Sequence, residues 1–150
     1  MGKKRIIQKS EQEIIKEGEK LGAKIEREIK AKTSRKVDEG RIYISSTYNN
    51  TIMTLTDAKG NVIFWTSAGK VGFSGTKKGT PFAASKVAEV MAEVVHKLGI
   101  KKISVFVKHV GSGRESALRT LVARNVNIVS IKDVTPIPHD GCRPPKVRRV

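Results

Sequence analysis

The chain is short of acidic residues and of cysteine, and it contains no long hydrophobic run. Its 14 Asp and Glu side chains stand against 30 Lys and Arg, which gives a formal net charge of +16 at pH 7. The single cysteine, Cys142, cannot form an internal disulfide, as expected in a reducing cytosol. No apolar run approaches the ~20 residues of a membrane-spanning helix, and the N-terminus lacks the apolar core of a signal peptide. These absences argue against a membrane or secreted protein.

The scarcity of acids also argues against a metal-dependent nuclease, which needs several carboxylates around its metal ions. Beyond residue 40 the acids are Asp57, Glu89, Glu93, Glu115, Asp133 and Asp140. Glu89 and Glu93 fall on the polar face of a predicted helix, and the first predicted strand carries no acid. His139 and Cys142 are only two potential ligands, where structural zinc needs four. We therefore expect no catalytic residue, no metal site and no cofactor.

The hydrophobic pattern predicts one α/β domain at residues 41–134, between an N-terminal extension (1–40) and a tail (135–150). Strands are predicted at 41–47, 51–57, 61–68, 102–109 and 127–134, and helices at 80–98 and from 112 to about 125. The order βββαβαβ indicates an antiparallel meander, followed by two strands reached through helices. Right-handed crossovers would make those two strands parallel to their neighbours, so we expect a mixed sheet with two packed helices.

Residues 1–40 carry 12 basic and 8 acidic side chains, whereas residues 41–150 carry 18 and 6, so the excess of positive charge lies in the domain and tail. Within residues 11–32, a narrow apolar stripe recurs at helical spacing and consists of Ile14, Leu21, Ile25 and Ile29. Two interpretations stay open for this segment. It is either a solvated, partly helical or disordered extension, or a helix that orders only on a partner.

Glycine-rich segments precede both predicted helices. The first, at 69–79, holds Lys70, Lys77 and Lys78 and leads into Thr80 and Pro81, an N-cap followed by a first-turn proline. The second is Gly111-Ser112-Gly113-Arg114, where Ser112 and Glu115 match a capping box. Glycines and helix N-termini both favour close approach of phosphate, although a merely flexible linker is the alternative for the first segment. Val71 breaks the pattern of a nucleotide-binding P-loop.

The aromatic residues are few, and most of them lie in predicted strands. We expect those in strands to belong to the hydrophobic core rather than to a surface that stacks nucleic-acid bases; they are Tyr43, Phe64, Trp65 and Phe106. Tyr48 and Phe73 fall in a turn and a loop, so they are the better candidates for base stacking.

The C-terminal tail, TPIPHDGCRPPKVRRV, is proline-rich and cationic. Its four prolines exclude helix and central strand. Its cations are Arg143, Lys146, Arg148 and Arg149, and no acid follows Asp140. An extended cationic tail suits a polyanion, and nucleic acid is the leading candidate. Asp140-Gly141 is also a candidate site of isoaspartate formation, with an ordinary Asp-Gly turn as the alternative.

Two stretches, DVTPIPHDGCRPPKVRRV and STYNNTIMTLTDAKGNVIFWTSAGKVGFSGTKKGTPFAA, closely resemble the universal S-eleven family of small-subunit ribosomal proteins in its bacterial form. The resemblance covers residues 41–150. It implies a ribonuclease-H-like α/β fold without nuclease activity, in the cytoplasmic ribosome. It further implies binding to small-subunit ribosomal RNA on the platform, beside the path of exiting messenger RNA and among neighbouring platform proteins. The implied RNA contacts are Asn49, Asn50, Lys70, Lys77, Lys78, Gly111, Ser112, Gly113, Arg114, His139, Arg143, Lys146, Arg148 and Arg149.

The chain departs from this family in two places. Bacterial members usually have Asn where this chain has Asp140, and the extension at 1–40 is longer and more acidic than theirs, so nothing transfers to it. Two other functions stay open at this point. One is a metal-dependent nuclease on the same fold, and the other is a basic DNA-binding or chromatin-like protein.

Overall fold

The computed structural model describes residues 37–143 and 145–146. Its elements are β1 (Glu39–Ser46), β2 (Thr51–Asp57), β3 (Val62–Ser67), α1 (Pro81–Leu98), β4 (Lys102–Lys108), α2 (Gly113–Ala123) and β5 (Ile128–Asp133), with a short 3₁₀ helix at Gly75–Gly79. The predicted order βββαβαβ is confirmed, whereas the 3₁₀ helix was not predicted. The apolar stripe at 11–32 and the tail residues Pro144, Arg148 and Arg149 lie outside the described residues. None of the helices described is long and apolar enough to cross a bilayer.

The five strands form one mixed sheet in the order β3-β2-β1-β4-β5. The meander of β1, β2 and β3 is antiparallel, and β4 lies parallel to both β1 and β5, as predicted. Only β2 therefore runs against the other four strands. The carboxyl ends of β1, β3, β4 and β5 consequently meet at one edge of the sheet.

Both helices pack on the same face of the sheet and enclose the core. Alternate strand residues point toward them, and the fully buried side chains on this face include Ile42, Ile44, Met53, Leu55, Val105 and Val107. From α1, the apolar side chains at helical spacing complete the core, among them Val87, Met91 and Val94. Side chains alternate between the two faces of each strand, and both helices lie on one face of the sheet. Neither helix covers the opposite face.

The prediction that the strand aromatics are core residues holds for Phe64 and is wrong for the other three. Phe64 is 3% exposed, but Trp65, the next residue along β3, points to the uncovered face and is 43% exposed. Tyr43 and Phe106 lie on the same face and are half-buried. β-Branched and aromatic composition indicates a strand, but it does not tell which face the helices cover.

The helix caps were predicted with mixed success. Thr80 caps α1 as expected, because its side-chain oxygen accepts a hydrogen bond from the Ala83 N–H at 3.3 Å, and Pro81 follows at N1. The capping box at Ser112 and Glu115 is wrong. Ser112 has helical backbone angles (φ −62°, ψ −21°), so its hydroxyl does not cap α2 and instead donates to the Gly79 carbonyl at 2.5 Å. Glu115 pairs with Arg119 one turn farther along.

Candidate RNA-binding surface

The segments for which RNA contacts were predicted leave the sheet at the same edge. The turn at 47–50 follows β1, the loop at 69–79 follows β3, the helix start at 111–114 follows β4, and the tail follows β5. We call the first three segments together the carboxyl edge. In open α/β sheets, ligands bind outside the carboxyl ends of the strands, since the loops there face solvent on a rigid frame.

The β1–β2 turn presents its two asparagines differently. Thr47 closes the turn: its backbone N–H and its hydroxyl both donate to the Asn50 carbonyl, and its oxygen accepts from the Asn50 N–H. Asn49 is exposed, whereas Asn50 is half-buried and its Oδ1 is buried without a hydrogen-bond partner among the described residues. Tyr48 is 89% exposed at the tip. Thr47 is exposed as well, but its hydroxyl is hydrogen-bonded within the turn, so Asn49 and Tyr48 are the exposed side chains that the turn itself does not engage.

Three glycines at this edge are required by packing within the chain itself. A Cβ on Gly111 would lie 2.5 Å from the Ser46 carbonyl oxygen, and one on Gly113 would lie 2.5 Å from Thr51 Oγ1. A Cβ on Gly79 would collide with the Tyr48 carbonyl oxygen. The 3₁₀ helix and the start of α2 are thus pressed against the β1–β2 turn. These contacts explain the three glycines without any ligand.

The lysines of the 69–79 loop differ in what surrounds them. The Lys70 ammonium lies 4.1 Å from the centroid of the Trp65 ring, a cation–π contact. Lys77 is exposed and Lys78 is half-buried, both at the end of the 3₁₀ helix. Neither Lys77 nor Lys78 forms an ion pair with the described residues. Their charges are available to an anion outside the chain.

Arg114 already has an anionic partner within the chain. Its Nη2 lies 2.5 Å from Asp133 Oδ2, and its Nη1 donates to the His109 carbonyl at 3.3 Å. The Thr135 hydroxyl, followed by the Arg114 guanidinium, holds the pKa of Asp133 well below its usual range. The chain's own carboxylate thus provides the anion beside this cation. Asp133 carried no sequence signal beyond its place at a strand end.

The tail starts at the same edge, fixed by hydrogen bonds to β4 and the residue after it. The Val134 N–H donates to the Val107 carbonyl at 2.9 Å, and the His109 N–H donates to Thr135 Oγ1 at 3.0 Å. From residue 136 onward the described residues are exposed, including the three predicted contacts His139, Arg143 and Lys146. The predicted contacts Arg148 and Arg149 lie outside the described residues.

Asp140 is exposed and adopts a left-handed backbone conformation (φ 51°) directly before Gly141. Asp tolerates this conformation better than most residues, which is consistent with a turn at this point. Isoaspartate formation at Asp140 stays a prediction.

The charges around this edge are predominantly positive. Its described cations, with those of the adjoining strand end and tail, are Lys70, Lys77, Lys78, Lys108, Arg114, Arg143 and Lys146. Against them stand Asp133, which is paired with Arg114, and Asp140. Within the described part of the chain, no cluster of three His, Cys, Asp or Glu side chains could hold a metal ion. Cationic side chains and exposed backbone N–H groups are the groups through which proteins contact phosphates.

Comparison with known proteins identifies the family. The sequence profile described as Ribosomal protein S11 matches residues 40–149. Two relatives named Small ribosomal subunit protein uS11, from Caldicellulosiruptor saccharolyticus and Caldicellulosiruptor bescii, are each 53% identical to this chain over 124 residues, which is 83% of this chain and 95% of theirs. The profile match begins at the second residue of β1 and covers all the other described strands and helices. The chain belongs to the ribosomal protein S11 family.

Proposed function

We propose that the chain is a structural component of the small ribosomal subunit and binds small-subunit ribosomal RNA on the platform. The observation that carries this proposal is the convergence of the predicted contact segments at one edge, where Lys77 and Lys78 lack partners among the described residues. Family membership supports the same role, in the cytoplasmic ribosome and without enzymatic activity.

The carboxyl edge and the tail would each contact a different part of the RNA. Asn49, Lys77, Lys78 and the exposed backbone near Ser112 would contact phosphate and ribose of structured RNA, while the tail from His139 through Arg149 would lie along a groove of it. A-form RNA exposes its backbone and minor groove and hides its major-groove edges, so shape supplies most of the recognition. Prolines reduce the freedom that the tail loses on binding.

The proposed partners are of two kinds: general classes of partner and particular neighbours in the subunit. Ribosomal RNA and other ribosomal proteins follow from the family, while adjacency to particular platform proteins and to the path of exiting messenger RNA is the finer proposal. Chemical crosslinking of intact small subunits tests the latter. Crosslinks from Tyr48 and the tail to platform proteins and messenger RNA are expected, and crosslinks confined to another region of the subunit would overturn it.

The RNA-binding role is tested by the salt dependence of binding to a structured small-subunit RNA fragment. Replacing both Lys77 and Lys78 by Ala should reduce the log–log salt slope by roughly one to two units, because each phosphate contact contributes about 0.7–0.9. The matched control is the double replacement of Lys59 and Lys101 by Ala, which removes the same charge at the opposite edge of the sheet. We expect the control to retain the wild-type slope.

Equal losses in the two double variants would show that only net charge matters and would contradict the proposed surface. Duplex DNA serves as the competitor. Affinity for duplex DNA that equals the affinity for structured RNA would contradict a ribosomal RNA-binding role and favour a general nucleic-acid-binding protein.

A further inference from the structure

The face of the sheet that the helices leave uncovered carries a row of side chains across all five strands. The strand register pairs Trp65 with Thr54, Thr54 with Tyr43, Tyr43 with Phe106, and Phe106 with Lys132. Directly paired residues point to the same face of a sheet, so these five side chains form one line perpendicular to the strands. We call this line the aromatic row.

The rings of the aromatic row stand side by side. The Tyr43 and Phe106 rings are stacked, with centroids 5.0 Å apart and planes inclined by 16°. This separation is close to the ~4.8 Å between neighbouring strands, so the ring faces look along the row. Thr54, a short residue, separates Tyr43 from Trp65 by two strand spacings, about 9.6 Å. Stacked rings have centroids about 4.5–7 Å apart, so this gap accommodates one planar base between Tyr43 and Trp65.

Charge and polarity around the row indicate which ligand would fit. Most residues flanking it on this face are small and hydroxylated or basic: Arg41, Ser45, Ser104, Lys108 and Ser130. Ile52, the partner of Ser45 in the register, adds an aliphatic side chain that is 37% exposed. Lys70 lies over the Trp65 ring at one end, and Lys132 closes the other end. Among the described strand residues whose side chains point to this face, Glu39 is the one acid. It lies at the far end of the face, and its carboxylate is 3.3 Å from the Lys102 ammonium. Aromatic rings between cations suit a ligand that is both planar and anionic.

We propose that the aromatic row binds a single-stranded segment of RNA, whose bases stack on Trp65, Tyr43 and Phe106 and whose phosphates meet Lys70 and Lys132. Every base has a π-face, so stacking of this kind tolerates many sequences, and a basic surround holds the backbone. An apolar protein partner fits less well, because hydroxyl groups and cations outnumber aliphatic side chains such as Ile52 around the row. The inference rests on the proposed function, since it assumes that the chain works on RNA.

The experiment uses the full chain, whose single tryptophan is Trp65, so tryptophan fluorescence reports on the row alone. An oligouridylate of about ten nucleotides, within the usual site sizes for single strands, should quench this emission on titration. Phe106→Leu and Tyr43→Leu should each weaken binding by roughly 5- to 100-fold, as expected for the loss of one stacking ring. Phe82→Leu, which removes an exposed aromatic on α1, is the matched control and should bind as the wild type does.

Unchanged emission on titration, or variants at Tyr43 and Phe106 that bind like the control, would overturn the inference. Quenching seen only after deletion of residues 1–36 would also overturn it, by showing that the chain's own extension occupies the face. The same preparations are titrated with a structured small-subunit RNA fragment. If the wild type binds that fragment but shows no response to oligouridylate, only the inference about the aromatic row is refuted. If the wild type fails to bind the fragment, the proposed function is refuted.

Discussion

Replacing Gly111 by Ala tests whether the glycines of the carboxyl edge serve the fold or the RNA. The new Cβ would lie 2.5 Å from the Ser46 carbonyl oxygen and 2.7 Å from its carbonyl carbon, where ordinary contacts are 3.4 Å or more. The obstacle is the backbone of β1, which is held in the sheet on both sides and cannot move aside cheaply. Overpacking of this kind costs about 1–3 kcal/mol.

Gly69→Ala is the matched control, since it adds the same methyl group at the same edge. Its Cβ would meet nothing closer than Lys78 Cδ at 3.8 Å, and its backbone φ lies outside the left-handed region. An alanine that fits without strain stabilises a protein by ~0.4–1 kcal/mol, because it restricts the unfolded chain. We therefore expect the two variants to shift stability in opposite directions.

Urea unfolding followed by circular dichroism measures the difference. With a denaturant slope of about 2 kcal/mol per molar, Gly111→Ala should lower the midpoint by roughly 0.5–1.5 M, and Gly69→Ala should raise it by roughly 0.2–0.5 M. Equal midpoints would refute the packing argument. Wild-type stability in Gly111→Ala combined with weaker binding to structured RNA would show instead that this glycine admits a phosphate.

Two further predictions concern charge. Because the pKa of Asp133 is lowered by Thr135 and Arg114, its contribution to stability is complete above the ordinary carboxyl value of about 4 and is lost as the pH falls below it. Asp133→Asn should therefore be less stable than the wild type near pH 7. Unfolding measurements should show that this difference in stability shrinks below about pH 4. A difference that stays constant with pH would contradict the ion pair. Deletion of residues 143–150 should flatten the log–log salt slope of binding to structured RNA by roughly three units if all four tail cations touch phosphate, and an unchanged slope would place the tail elsewhere.

Much of the fold could be predicted because its signals are local. Alternation of apolar residues marks the strands, and Thr80 with Pro81 and Gly99 marks the two ends of α1. The errors arise where tertiary contacts decide. The Ser112 hydroxyl does not cap α2, because it donates to the Gly79 carbonyl, 33 positions away in sequence. Trp65 is a strand residue by composition, and only the one-sided helix layer puts it on the surface.

The candidate site was predictable in outline for a topological reason. Each predicted contact segment follows a strand, and four of the five strands run the same way, so the segments must emerge together. The role of each residue was less predictable. Glycine is equally expected beside a phosphate and beside a neighbouring backbone, and only the close approach to Ser46 distinguishes the two at Gly111. The partner of Arg114 likewise depends on β5 lying next to β4.

These contacts divide the carboxyl edge into two classes of residue with opposite expected behaviour. Gly79, Gly111 and the Arg114–Asp133 pair fix loops to strands, so that little conformational entropy is lost when RNA binds. Lys77 and Lys78, unpaired among the described residues, should contribute little to folding, and in the proposed function they would release counterions from RNA. Changes in the first class should lower stability and leave the salt slope of RNA binding unchanged. Changes in the second class should reduce the salt slope and leave stability unchanged. A rigid frame carrying unpaired cations is what a protein needs in order to hold RNA by its shape.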